Sequence, residues 1–404
     1  SMQVQIGEQG KDLDLELTIS QTGLTIVASG GEDETAYEIV AVDIGIEATR
    51  VDVNGKPINA SARGNLKGYS GNYVVTKGEL TEVTGGVRMN SFDLTLNIDE
   101  PDEGAVIDFS IAVADLGGKL EMALTNNFDP EDMVAALAAG LAVKGDYSTG
   151  EMASSLVGDV DGDNFDVQVS ASDASFGFLL NQDALGLSEF VSDPRIAISG
   201  SQVPLPQIVI AAKEYGLNFL IPVSKSEEPG DFALGLRLVD LAVQDEIWGM
   251  VDPAGNLPRD PATIVIDAAG QASWFFDIMD PASQEAINAP GAPGELYSLD
   301  LKELQVRIAG VALTGTGAFT FDNSDLESFD GVPRPEGSID LKLVGANGLL
   351  DSLIAMGFVP EEQALGMRMM MGLFAVPGEG EDTLNSKIEF TPEGQVLANG
   401  QRLK

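Results

Sequence analysis

Gly348-Leu-Leu-Asp-Ser-Leu-Ile-Ala-Met-Gly-Phe-Val-Pro-Glu-Glu-Gln-Ala-Leu-Gly-Met-Arg-Met-Met-Met-Gly-Leu-Phe374 reads as two short helices that part near Gly357. The first carries Leu349, Leu350, Leu353, Ile354 and Met356 on nearly all sides. The second opens at Pro360, with Glu361 and Glu362 in the turn where a helix dipole favours acids. A helix apolar all round needs cover on all sides, from protein or from lipid. Six large apolar side chains left in water would forgo roughly 9–18 kcal/mol, as much as the net stability of a domain. Each apolar run is shorter than the ~20 residues that cross a bilayer. Two readings follow: the remaining chain wraps the hairpin as its core, or helices and sheet leave an apolar groove for a lipid-like ligand. Leu353, Ile354, Leu365, Met367, Met370, Met371 and Phe374 are its candidate lining. Methionine suits both readings, because its thioether adapts to irregular space.

Working outward, the chain alternates like strands wetted on one side. Leu13, Leu15, Leu17 and Ile19 face Asp12, Asp14, Glu16 and Thr18, and Gly23 turns the chain into Leu24–Ala28. Asn54-Gly55 is a hairpin signal. Phe92, Leu94, Leu96 and Ile98 alternate with Asp93, Thr95, Asn97 and Asp99, which predicts an antiparallel meander from 66 to 113. Phe128–Val143 is predicted as an alanine-rich helix, with Asp129 as N-cap, Pro130 at its first position, and Met133 and Leu137 joining the candidate apolar lining. Residues 181–206, with Pro194, Pro204 and Pro206, form the candidate boundary between halves 1–200 and 201–404 of one β-rich unit spanning 1–404. Beyond it come a hairpin turning at Tyr215-Gly216, a strand over 232–241, a short helix over 245–250 and a strand over 263–267. Ala289–Gly294 is a loop, and the alternation of Leu299, Leu301, Leu304, Val306 and Ile308 slips at Lys302-Glu303, as a bulge would make it. Ile339, Leu341 and Leu343 lead into the methionine-rich hairpin, and strands over 387–390 and 395–397 close the chain. Pro130-Glu-Asp and Pro360-Glu-Glu open comparable helices, which suggests two related halves.

The predicted fold class is α+β and mostly β: large twisted antiparallel sheets wrapped around short apolar helices. The 404 residues carry 22 basic against 64 acidic side chains, a formal charge of −42. That balance argues against nucleic acid and anionic membrane surfaces as partners. Cysteine and histidine are both absent, so disulfides, thiolate or imidazole metal sites and histidine-based nucleophilic catalysis have no residues to use. The reading assigns no catalytic residue, no cofactor, no transmembrane segment and no signal peptide; Ser1-Met2 reads as an expression remnant. Asp159, Asp161 and Asp163 have the alternate spacing of a calcium loop. Asn164 replaces its glycine and Ser170 its bidentate glutamate, leaving an acidic turn or a weak calcium site. Trp248 is expected to anchor its helix in the core, and Arg259 to pair with a carboxylate such as Asp252.

Ile247–Ala262, Phe321–Asp330, Pro360–Ala364 with Met369–Phe374, and Leu397–Arg402 together resemble the exported alphaproteobacterial domain-of-unknown-function family 2125. The resemblance covers mostly residues 230–404. It implies a secreted precursor and a periplasmic location, and carries over no catalytic residues. The ending is also similar in style to AsmA-like envelope proteins, whose curved sheets are associated with lipid handling. The expected function is a non-enzymatic periplasmic protein that binds or shields a lipid-like ligand or supports the envelope. The alternative is an acidic scaffold for an envelope protein, with a packed core and no ligand.

Overall fold

A computed structural model describes residues 2–6, 13–53, 56–100, 104–126, 128–283, 285 and 292–404. The chain divides into two units. The first comprises Ser1–Phe128, Ala139–Leu179 and Glu189–Ala211. The second comprises Asp129–Ala138, Leu180–Ser188 and Ala212–Lys404.

The first unit begins with β1 (Met2–Ile6), β2 (Leu13–Thr22), β3 (Thr25–Gly30), β4 (Glu34–Val53) and β5 (Lys56–Pro57). Next come β6 (Ala60–Lys77), β7 (Leu80–Glu100) and β8 (Ala105–Thr125). Then, past α1 (Met133–Ala138), which belongs to the second unit, follow β9 (Ala142–Thr149), β10 (Met152–Val160), β11 (Asp163–Ala171) and β12 (Asp173–Leu180). After β13 (Ala184–Ser192), β14 (Arg195–Gly200) and β15 (Ile208–Ala211) complete it. Pairing is antiparallel in the order β1–β2–β4–β6–β7–β8. β8 then serves two partners, β10 along Ala105–Val113 and β9 along Gly117–Ala123. β10 continues into β11, β14 and β15.

Strands of 18 to 21 residues are far longer than the usual ~5–6, and a transverse crease makes them possible. Pairing lapses at Gly23 opposite Val42, at Gly68, at Asn90 opposite Asp115, and at Gly150, one strand after another. Gly23, Gly68 and Asp115 have φ of 63°, 64° and 48°. Register is the same on both sides of the crease, but the alternation inverts, as an added bulge residue inverts it. In β8, Phe109, Ile111 and Val113 are the sheltered residues before the crease, and Leu116, Leu120 and Met122 after it, while Asp108, Lys119 and Glu121 are exposed. The apolar set is therefore the less exposed set along the whole strand.

The second unit is a meander of β16 (Glu214–Pro222), β17 (Gly230–Val243), β18 (Ala262–Trp274), β19 (Gly294–Ile308), β20 (Val311–Asp322) and β21 (Arg334–Val344). β22 (Val376–Pro377), β23 (Thr383–Phe390), β24 (Val396–Ala398) and β25 (Gln401–Arg402) follow. Neighbours pair antiparallel, with β21 joined to β23. α2 (Asp245–Val251) lies between β17 and β18, and α3 (Ala346–Ala355) and α4 (Glu361–Phe374) between β21 and β22. The predicted mostly-β, antiparallel class with few short helices is what the structure has. The bulge predicted at Lys302-Glu303 is present, since Asp267 pairs with Glu303 and Ala268 with Leu301.

Other expectations are corrected. The first helix is only Met133–Ala138, and its cap is Asp132, whose carboxylate accepts from the Ala135 N–H at 3.0 Å. Asp129 instead accepts from the Glu131 N–H in the turn before it. Residues 181–206 are not loose but contain β13 and β14. Tyr215 and Gly216 make no turn; they sit inside β16, opposite Leu238 and Arg237. Pro360 is the N-cap of α4 rather than its first helical residue. The Asn54-Gly55 turn and residues 289–291 of the Ala289–Gly294 loop lie outside the described residues.

Shelter of the helical hairpin is the largest correction. In α4 only Ala364 is buried, at 0 % exposure, while Leu365, Met369 and Met370 are 59 %, 69 % and 56 % exposed. The sheet does not wrap the helices. Among the described residues, the buried apolar side chains larger than alanine are Val113, Leu137, Leu141, Val223, Val265 and Leu350. Much of the apolar side of the strands is thus half-buried rather than enclosed.

Candidate apolar-ligand site

Cross-strand register builds one apolar face in the second unit. Val306 meets Leu313 across β19 and β20, with Leu304 opposite Gly315 beside them, Leu313 meets Leu343, and Leu343 meets Leu384. The opposite face carries Gln305, Thr314, Lys342 and Asn385, neighbours in the same ladders. α4 lies against the apolar face. Between them opens a cleft of about 300 Å³ lined by Leu313, Leu341, Leu343 and Leu384 from the strands, Met370, Met371 and Phe374 from the helix, and Ala375 and Ser386. That volume is at the lower end of the ~300–1,000 Å³ common for small-molecule sites.

Polar contacts fix the helix over the strands. The carbonyl of Phe374, at the end of α4, accepts from Ser386 Oγ at 2.6 Å and from Asn399 Nδ2 at 3.0 Å. Asn399 Oδ1 accepts from the Lys387 N–H. Arg368 donates to Asp351 Oδ1 at 2.6 Å and Asn347 Oδ1 at 3.2 Å, tying α4 to α3. Asp382 in turn accepts from Asn347 Nδ2 and the Gly348 N–H, holding the start of α3. The Phe374 bonds join the end of α4 to a strand and a turn, and the Arg368 bonds join its middle to α3, so the roof of the cleft is held at two points.

Of the residues predicted from sequence, Met370, Met371 and Phe374 come together in the cleft. Leu353 and Ile354 are half-buried on α3, and Leu365 and Met367 are exposed on α4, outside the lining. Met133 is half-buried and Leu137 buried on α1, and neither lines the cleft. The strand leucines 313, 341, 343 and 384 were missed as site residues. Alternation assigned Leu341 and Leu343 to a strand face, but gave no sign of which helix lies over it.

Asp159, Asp161 and Asp163 are not brought together as ligands. Asp159 accepts from the Gly162 N–H at 2.9 Å, Asp163 accepts from Ser201 Oγ and Gln202 Nε2, and Asp161 occupies the turn with φ 55°. Among the described residues, no group of three or more histidine, cysteine, aspartate or glutamate side chains is placed to hold a metal ion. Trp248 is half-buried rather than in a core. Arg259 pairs with Asp245 at 3.1 Å and donates to the Asp252 carbonyl, not its carboxylate.

Asp252 and the Asp322–Arg334 loop are the electrostatic anchors of the second unit. The fully buried Asp252 carboxylate accepts from the Leu257 N–H at 2.8 Å and from Asn256 Nδ2, and these bonds hold its pKa below the ordinary value. Ser324 bonds and Arg334 lower Asp322, and Ser328 bonds and Arg334 lower Asp325. Arg334 bridges the two carboxylates at 2.8 and 3.1 Å. A lowered folded-state pKa gives stability that is complete above the unfolded value of ~3.9 and is lost as pH falls through the folded value. Acid also relieves the repulsion of the large net negative charge, so the parent alone is no clean test. Asp252→Asn should therefore destabilise at pH 7, and the gap between variant and parent melting temperatures should close below about pH 4. A gap unchanged at pH 3 would contradict the assignment.

Fold and site define an open antiparallel-sheet protein with an apolar cleft under a methionine-bearing helix. The chain belongs to the DUF2125 family, described as an uncharacterized protein conserved in bacteria, whose sequence pattern matches residues 153–403. No curated protein and no solved structure matches the chain. The family match covers the stretch of the second unit from Ala212 to Leu403, including α4 and the four strand leucines of the cleft.

Proposed function

We propose that this protein binds or shields a lipid-like ligand, with an acyl chain in the α4 cleft, and that it does so in the periplasm as a non-enzymatic envelope protein. The cleft carries the reading: its lining is almost wholly leucine, methionine and phenylalanine, it opens to solvent, and both of its walls are fixed by hydrogen bonds. An apolar cavity exposed to water gains free energy when a chain of methylenes fills it, at ~0.8 kcal/mol for each one buried. Met370 and Met371 are flexible enough to follow chains of different shape. No side chain of the lining is charged, which suits a hydrocarbon tail and leaves the headgroup in solvent. The resemblance to an exported family supports the periplasmic location, and fractionation of cells expressing the full precursor tests it. For the ligand, titration with an environment-sensitive fluorescent fatty acid should show saturable, blue-shifted binding that unlabelled long-chain fatty acid displaces. Fluorescence that rises without saturation, or that no competitor displaces, would overturn the reading.

A further inference from the structure

β3 is an edge strand that lacks the usual protection against pairing. It pairs with β4 on one side, and no described strand pairs with its other side. All six of its residues, Thr25 to Gly30, are exposed, with Ile26 at 60 %. Natural edges are blunted by lysine, proline, bulges or a covering element. This one is Thr-Ile-Val-Ala-Ser-Gly, uncharged and partly β-branched, with a positive φ of 120° at its last residue, Gly30.

The ladder shows which amides are free. The Gly31 N–H donates to the Glu34 carbonyl at 2.8 Å, so residues 31 and 34 form a hydrogen-bonded pair. Antiparallel pairs alternate between bonded and non-bonded. Thr25, Val27 and Ser29 therefore turn their amides and carbonyls to β4, and Ile26, Ala28 and Gly30 turn theirs outward. No described group bonds to these outward amides and carbonyls.

We propose that β3 is a docking edge for an extended segment of a partner protein, added as an antiparallel strand. Its main chain meets the outward groups of Ile26, Ala28 and Gly30, the mode of binding known as strand addition. The tip beside β3 carries exposed Glu32, Asp33 and Glu34, with no cationic partner among the described residues. An antiparallel strand enters from that tip, so the segment has basic residues at its N-terminal end and alternating β-branched residues after them. A second copy of this chain fits poorly, since it would bring two chains of charge −42 together.

The probe is a blocked, dye-labelled peptide, Lys-Lys-Val-Thr-Val-Thr-Val, tested against the whole chain by fluorescence anisotropy, with hydrogen exchange read at the β3 amides. Saturable binding, weaker at higher salt, with slowed exchange at Ile26 and Ala28, is expected. Ala28→Pro removes an outward N–H and leaves the β4 ladder intact, so it should weaken binding at least tenfold with an unchanged circular dichroism spectrum. Ile26→Lys, which adds an edge guard, should do the same, and covers the case in which the proline variant fails to fold. A peptide methylated at alternate amide nitrogens should not bind. Absence of binding to the parent, or equal binding to Ile26→Lys and to the methylated peptide, overturns the proposal. Self-association of the parent that Ile26→Lys abolishes would overturn it in favour of a second copy. The assay is independent of the fatty-acid titration, so either reading can fail alone.

Discussion

Met370→Glu is expected to weaken the displaceable binding of the fluorescent fatty acid by more than tenfold while leaving the melting temperature within about 2 °C. The two halves of this expectation have one cause. Met370 is more than half exposed, so the fold loses little when the thioether is replaced by a carboxylate that can reach water. The same side chain walls the cleft beside Met371 and Phe374. A charge there must be desolvated when a chain enters, and a favourable apolar contact is lost as well. Either effect is worth ~1.5 kcal/mol or more, and each 1.4 kcal/mol is tenfold in affinity. Met370→Leu conserves volume and polarity and should bind within about threefold of the parent. Unchanged binding in both variants would mean that the probe binds elsewhere.

Gly68→Val should cost about 2 kcal/mol or more in urea unfolding. Gly68 has φ 64°, a region that a β-branched residue avoids at ~1–2 kcal/mol. A Cβ at this position would also overlap the exposed side-chain amide of Asn90 in the neighbouring strand, which would have to rotate away. Asp115→Gly, by contrast, places glycine at φ 48° and should be neutral to within about 1 kcal/mol. If Gly68→Val were as mild as Asp115→Gly, the crease would not be the fixed line that reverses the alternation in every strand crossing it.

The crease also explains what could be seen in the sequence. Phe92, Leu94, Leu96 and Ile98 alternate cleanly, because one side of the strand is sheltered and the other is wet. The 21-residue length of β7 was hidden, because the apolar parity changes at Asn90 and a reader following one parity sees the strand end. The slip at Lys302-Glu303 was legible for the opposite reason: it interrupts an otherwise unbroken run of leucines. Pro194 suggested a loose boundary, yet it merely separates β13 from β14. Gly216 suggested a turn, yet it sits opposite Arg237 in a regular ladder. The two C-terminal helices were legible from Gly357, from Pro360 and from the glutamates of the first turn. Their exposure was not, because local composition reports how much apolar surface a helix has and not how much of it the tertiary fold covers. The helix half of the cleft could thus be listed in advance, whereas its strand half required knowing that α4 lies across Leu313, Leu341, Leu343 and Leu384.

The apolar lining under α4 and the half-exposed apolar strands have one feature in common: this chain keeps apolar surface open to water instead of closing it into a core. Organic extraction of the protein, purified from its native cells without detergent and followed by mass spectrometry, tests the lipid proposal most directly. Acyl-chain lipids in near-stoichiometric amount, depleted in Met370→Glu, are the predicted result. Protein that emerges free of lipid, and takes none up from vesicles, would contradict it.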